Sequence, residues 1–226
     1  MCIRDSINNH ILVLFGLISI TCVFSDFYYK TSNLTIPFII TTLVSSIITF
    51  IGIPKLKKIK IKQIIREEGP KNHFLKQGTP TMGGIFFIPI GIIISNILYF
   101  NQDNYDIILT LSFVIIFFMF IGFIDDLLSL KKKLNIGLRS NQKILLQSLI
   151  SLIFILICAS NNLIPQNIQI ANKVFNIGNL IYPLGIFVLL AESNSTNLTD
   201  GLDGLLSGCS VLIYTGLAIS LSLIHI

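Results

Sequence analysis

Residues 107–133 read Ile107-Ile-Leu-Thr-Leu-Ser-Phe-Val-Ile-Ile-Phe-Phe-Met-Phe-Ile-Gly-Phe-Ile124-Asp125-Asp126-Leu-Leu-Ser-Leu-Lys131-Lys132-Lys133. The stretch from Ile107 to Ile124 carries no charge, and as a helix it would run about 27 Å at ~1.5 Å per residue. That matches the ~30 Å hydrocarbon core of a bilayer. Apolar residues follow one another without the strict alternation of a barrel strand, so run length argues for a spanning helix. Two carboxylates and three lysines then end the run abruptly, as expected where a helix leaves lipid for water.

The rest of the chain repeats this pattern. Hydrophobic residues make up 53% and charged ones 12%, about half the charge of an ordinary soluble domain, and the mean hydropathy is +0.81. Apolar runs occupy 7–24, 34–53, 84–100, 107–124, 144–160, 180–192 and 205–224. The expected fold is therefore all-α, a polytopic transmembrane helical bundle of about seven spans. The run 180–192 is short by itself and needs the polar stretch after it to complete a span. The run 7–24 is expected to cross the membrane, to lie at its interface, or to be an uncleaved signal-like segment.

Charge placement orients the bundle. Eight of the 16 lysines and arginines fall in 54–80 and five in 125–143, whereas the connections 25–33, 101–106 and 161–179 hold only Lys30 and Lys173. Positive residues mark the cytoplasmic loops, so 54–80, 125–143 and, counting onward, 193–204 are expected on the cytoplasmic face of the membrane. The four cysteines include no CxxC pair and the three histidines show no ligand spacing, which excludes a disulfide scaffold and a structural zinc site. No P-loop or dinucleotide fingerprint is present, and no nucleic-acid partner is expected.

Three polar segments on that face carry candidate chemistry. Segment 194–204 reads Asn194-Ser-Thr-Asn197-Leu-Thr-Asp200-Gly-Leu-Asp203-Gly204. Its amides and carboxylates recur every third residue, so Asn194, Asn197, Asp200 and Asp203 form one polar row if the helix continues. Acidic groups are costly near lipid and persist where they handle a cation, a proton or a polar ligand. Asp125 and Asp126 beside Lys131, Lys132 and Lys133 read either as a solvated helix terminus or as a phosphoryl-transfer site. In the second reading carboxylates hold a metal or take a proton, and lysines neutralise phosphate. The run from Lys76 through Gly78-Thr79-Pro80-Thr81-Met82-Gly83-Gly84 reads either as a helix-entry turn or as a phosphate- and hydroxyl-binding loop. The glycosylation-like Asn194-Ser-Thr and Asn197-Leu-Thr triplets fall on the cytoplasmic side and are discounted.

Together the runs His73–Gly84, Gly122–Asp126 and Asn194–Leu205 resemble the bacterial phospho-N-acetylmuramoyl-pentapeptide transferases, members of the polyprenyl-phosphate N-acetylhexosamine-1-phosphate transferase superfamily. The resemblance covers the chain from about residue 34 onward. It implies transfer of phospho-MurNAc-pentapeptide from UDP-MurNAc-pentapeptide to undecaprenyl phosphate, giving lipid I and UMP, with Mg²⁺ required. Carried over by position, Asp125, Asp126 and Asp203 are catalytic, with Asp125 the base for the lipid phosphate. Lys76, Thr81, Lys133, Asn194, Asn197 and Asp200 contact substrate, and Asp200 with Asp203 holds the metal. A homodimer is among the assemblies compatible with this reading. Residues 1–33 are an extension before the family's first helix, and 34–226 correspond to the first two-thirds of its ten-helix membrane domain. The chain is accordingly expected to be a piece inactive by itself, with a further metal-binding aspartate and a histidine-rich loop beyond Ile226. Two rival readings are a sister transferase using GlcNAc-1-phosphate and a cation transporter built on intramembrane aspartates.

Overall fold

The computed structural model describes residues 15–27, 34–58, 82–101, 105–132, 137–170, 173–199 and 205–224. Among the described residues, seven α-helices fall on the seven apolar runs: α1 (Phe15–Phe27), α2 (Thr35–Lys58), α3 (Gly84–Tyr99), α4 (Tyr105–Lys132), α5 (Ser140–Ser160), α6 (Ile181–Thr199) and α7 (Leu205–Ile224). Thr35–Leu56, Tyr105–Lys132 and Ser140–Ser160 are long and apolar enough to cross a membrane by themselves. This is an integral membrane protein. Two expectations about helix ends are met or exceeded. Helix α6 continues past the apolar run through Asn194 and Asn197, and α2 continues through Pro54 to Lys58.

The 161–179 connection, which the apolar pattern leaves without structure, contains a short antiparallel ribbon. Strands β1 (Asn167–Ile170) and β2 (Lys173–Asn176) pair with Ile168 opposite Phe175 and Gln169 opposite Val174. Four-residue strands are too short for the periodicity that betrays longer ones. The side-chain oxygen of Asn176 accepts a hydrogen bond from the Gly178 N–H, 2.9 Å, and Gly178 takes φ +53°, a left-handed turn that suits glycine.

The chain forms two compact units, Met1–Leu43 with Asn194–Ile226, and Val44–Ser193. In the first, the Asp26 carboxylate at the end of α1 accepts hydrogen bonds from the N–H groups of Leu34, 2.8 Å, and Thr35, 2.9 Å. It thereby satisfies two donors that the start of α2 would otherwise leave unpaired. Phe15 and Phe38 stack with centroids 5.6 Å apart.

The second unit is a helical stack joined by both polar and apolar contacts. Between α3 and α4, Asn96 donates to Ser112 Oγ, 2.8 Å, a polar link of the kind that joins helices in lipid. Between α4 and α5, Val114, Ile121 and Ile150 form a buried cluster with Phe118, Leu138, Leu146 and Phe154 packed around it. Between α5 and α6, Gln147 donates to Ser193 Oγ, 3.0 Å, and Gly185 lets the Ile155 side chain approach. Helix α5 shows the membrane pattern plainly: Gln147 and Ser151 are 1% and 0% exposed, whereas Leu145, Leu149, Leu152 and Leu156 face outward. Lipid is as apolar as leucine, so large side chains face it, and small or hydrogen-bonding ones are left to join helices. Replacing Gln147 with Ala should destabilise the protein by about 1–3 kcal/mol, from a lost hydrogen bond and a small cavity. A thermal melt in detergent checks this, with Leu149→Ala on the outer face as the comparison that should shift less.

Candidate active site

Helix α4 is 28 residues long, about 42 Å at ~1.5 Å per residue, and so outruns the ~30 Å core. If Tyr105–Ile124 fills the hydrocarbon, Asp125 to Lys132 emerge as a helical extension. That is the local reason why a carboxylate pair can stand ordered at the end of a very apolar helix.

Asp125 is the organising group of this end. Its Oδ1 accepts a hydrogen bond from the Leu138 N–H, 2.7 Å, and its Oδ2 pairs with Lys143 Nζ, 3.1 Å. The two side chains are only 24% and 17% exposed, respectively, so the pair is less screened than a surface ion pair. These bonds reach 13 and 18 positions ahead in sequence, and they fasten the end of α4 to the start of α5. Gly137 is buried against the same carboxylate. A Cβ there would overlap the Asp125 side-chain and backbone oxygens and stand 2.9 Å from Ser129 Oγ. Lys132 Nζ donates to the Gly137 carbonyl, 3.0 Å, and Gln142 Oε1 accepts from the Arg139 N–H, 3.2 Å, at the first turn of α5.

A carboxylate has about four lone-pair sites, so with two engaged Asp125 retains acceptor capacity on both oxygens. Asp126 follows roughly 100° round the helix axis and is half-buried. Segment 125–143 carries two acids against Lys131, Lys132, Lys133, Arg139 and Lys143, a local excess of positive charge that attracts phosphates. Asn194 and Asn197 stand one turn apart near the end of α6, the first half-buried and the second exposed. Lys76, Thr81, Lys133, Asp200 and Asp203 lie outside the described residues. Among the described residues, no three His, Cys, Asp or Glu side chains group as metal ligands. The cavity of about 320 Å³ lined by α1, the start of α2 and α7 contains no acidic or basic side chain and is not a phosphate site.

No motif or spacing in the sequence marks Lys143 or Gly137 as part of the site. Their signal is long-range, since Lys143 meets Asp125 only because α5 folds back along α4.

The sequence model of glycosyl transferase family 4 matches residues 108–225, more than half of the chain. The chain belongs to glycosyl transferase family 4. The matched region takes in the Asp125–Lys143 pair and the 194–203 row. The phospho-N-acetylmuramoyl-pentapeptide-transferase signature 1 matches residues 76–88, from Lys76 into the first turns of α3. Several curated relatives are named phospho-N-acetylmuramoyl-pentapeptide-transferase. One from Prochlorococcus marinus (strain NATL2A) is 95% identical over 217 residues, covering 96% of this chain and 58% of that protein. Another from Prochlorococcus marinus (strain MIT 9313) is 44% identical, covering 93% of this chain and 57% of the relative. A third, from Synechococcus sp. (strain CC9311), is 42% identical, covering 88% and 54%. The chain thus spans somewhat under three-fifths of the length of these relatives.

Proposed function

We propose that the protein transfers phospho-MurNAc-pentapeptide from UDP-MurNAc-pentapeptide to undecaprenyl phosphate at the cytoplasmic face of a bacterial plasma membrane, releasing UMP and forming lipid I. The observation that carries this reading is the signature at 76–88 in a chain 95% identical to a relative of that name. The anchored Asp125 beside a basic cluster supports the chemistry. Asp125 takes the proton from the lipid phosphate. The freed oxygen attacks the sugar-linked phosphorus, the new P–O–P bond forms, and the bond to UMP breaks. Lys133 and its neighbours offset the charge that builds on the phosphates. Lys76, Thr81, Asn194 and Asn197 bind the sugar nucleotide.

Hard oxygen donors fit Mg²⁺, which needs only one or two protein carboxylates when substrate phosphates complete its shell. Asp200 and Asp203 would hold it, and it would supply charge neutralisation on the diphosphate. Residues 34–226 carry these groups, and residues 1–33 add α1 ahead of them.

The test is UMP release by the intact protein in detergent, with undecaprenyl phosphate and either UDP-MurNAc-pentapeptide or UDP-GlcNAc. Mg²⁺-dependent release from the first alone, with a lipid-linked product, is the expected result. Equal or faster release from UDP-GlcNAc would replace this reading with a GlcNAc-1-phosphate transferase.

A further inference from the structure

Helix α2 is exposed or half-buried along nearly all of its length. Among its described residues only Gly52 and Leu56 are buried, one turn apart near the end that leads into the lysine-rich 54–80 segment. At Gly52 the Phe86 ring occupies the space a side chain would take. A Cβ on Gly52 would lie 2.5 Å from Cζ, 2.6 Å from Cε1 and 2.7 Å from Cε2. Even alanine would therefore have to push the ring out by much of an ångström.

Phe86 belongs to the signature segment 76–88, and its backbone is part of the turn that opens α3. The Phe86 N–H donates to the Gly83 carbonyl, 3.0 Å, and the Ile85 N–H to the Met82 carbonyl, 3.3 Å. Met82 is itself buried and has φ +67°, a left-handed conformation that a non-glycine residue keeps only where its surroundings over-determine it. The ring of Phe86, the first turn of α3 and the strained Met82 are thus one mechanical unit. Its anchor on α2 is the missing side chain of Gly52.

We propose that Gly52 is a positioning residue for the donor-substrate end of the site. By admitting the Phe86 ring it sets the placement of the Met82–Phe86 turn inside the signature segment. The proposal rests on the transferase reading above and deepens it. It predicts which substrate feels the change, because the signature turn is assigned to the sugar nucleotide and not to the lipid.

The experiment is a cycle of Gly52→Ala, Phe86→Leu and the double variant, read by the KM of each substrate, kcat and thermal midpoint. Gly52→Ala should raise the KM for UDP-MurNAc-pentapeptide on the order of tenfold or more, since misplacements near 1 Å can be that damaging. The KM for undecaprenyl phosphate should stay within about twofold, as expected when only one substrate's binding is disturbed. Shortening the ring to leucine in the double variant should recover most of the donor KM and the thermal midpoint. If Gly52→Ala does not accumulate, Phe86→Leu alone decides, with a rise confined to the donor KM. Unchanged constants in Gly52→Ala, an equal rise for both substrates, or a double variant no better than Gly52→Ala would each overturn the proposal. If the wild type makes no product from this donor, the functional reading fails. The thermal cycle still decides whether Gly52 and Phe86 are coupled.

Discussion

In the full-length enzyme, Asp125→Asn is expected to lower turnover by ~10²–10⁴-fold, the usual effect of losing a general base, while sugar-nucleotide binding survives. The same substitution should also cost stability. Asparagine can still accept from the Leu138 N–H, but its amide would face Lys143 Nζ, now 3.1 Å from a carboxylate oxygen. A mostly buried ammonium would then lose its partner, at a cost of about 1–3 kcal/mol. Two roles are therefore superposed on one residue, and a second substitution separates them. In Asp125→Asn with Lys143→Met the orphaned charge is gone, so the thermal midpoint should climb back toward wild type while turnover stays low. If the double variant regains turnover as well, Asp125 only fastens α4 to α5, and the proton must go to another acid.

Gly137→Ala should be the most damaging small substitution in this part of the chain. The added methyl would meet the Asp125 carboxylate, the Asp125 backbone carbonyl and Ser129 Oγ. A side chain can turn away, but a carbonyl inside α4 cannot move without breaking the helix. The loop would have to lift, and the Leu138–Asp125 and Lys132–Gly137 hydrogen bonds would lengthen with it. We expect about 2–4 kcal/mol of destabilisation from overpacking and lost bonds together, with turnover falling in parallel. Gly122 provides the control on the same helix, since a Cβ there meets nothing within 4 Å. Gly122→Ala should be neutral or stabilise by up to ~1 kcal/mol, because alanine favours helix over glycine. Thermal melts of the two variants in one detergent check both statements. A Gly137→Ala protein that melts with wild type would refute the close approach.

Much of this architecture can be read from composition and order alone, for a definite reason. Membrane helices are specified by length and hydropathy, which are local properties, so the runs that became α2, α4 and α5 were legible at once. So was the helical continuation through Asn194 and Asn197, where three-residue spacing keeps polar groups on one side. The Asp125–Asp126 pair at the end of an uncharged run marks itself, because lipid tolerates such groups only at its edge. What the tertiary structure decided is which groups touch. Asp125 meets Lys143, Gly137 lies against Asp125, and Gly52 admits Phe86 because of how each helix is rotated about its axis and where it crosses its neighbour. Those quantities follow from the packing of whole interfaces, such as the Val114–Ile121–Ile150 cluster. No spacing rule within one segment encodes a contact that forms only when the chain folds back on itself.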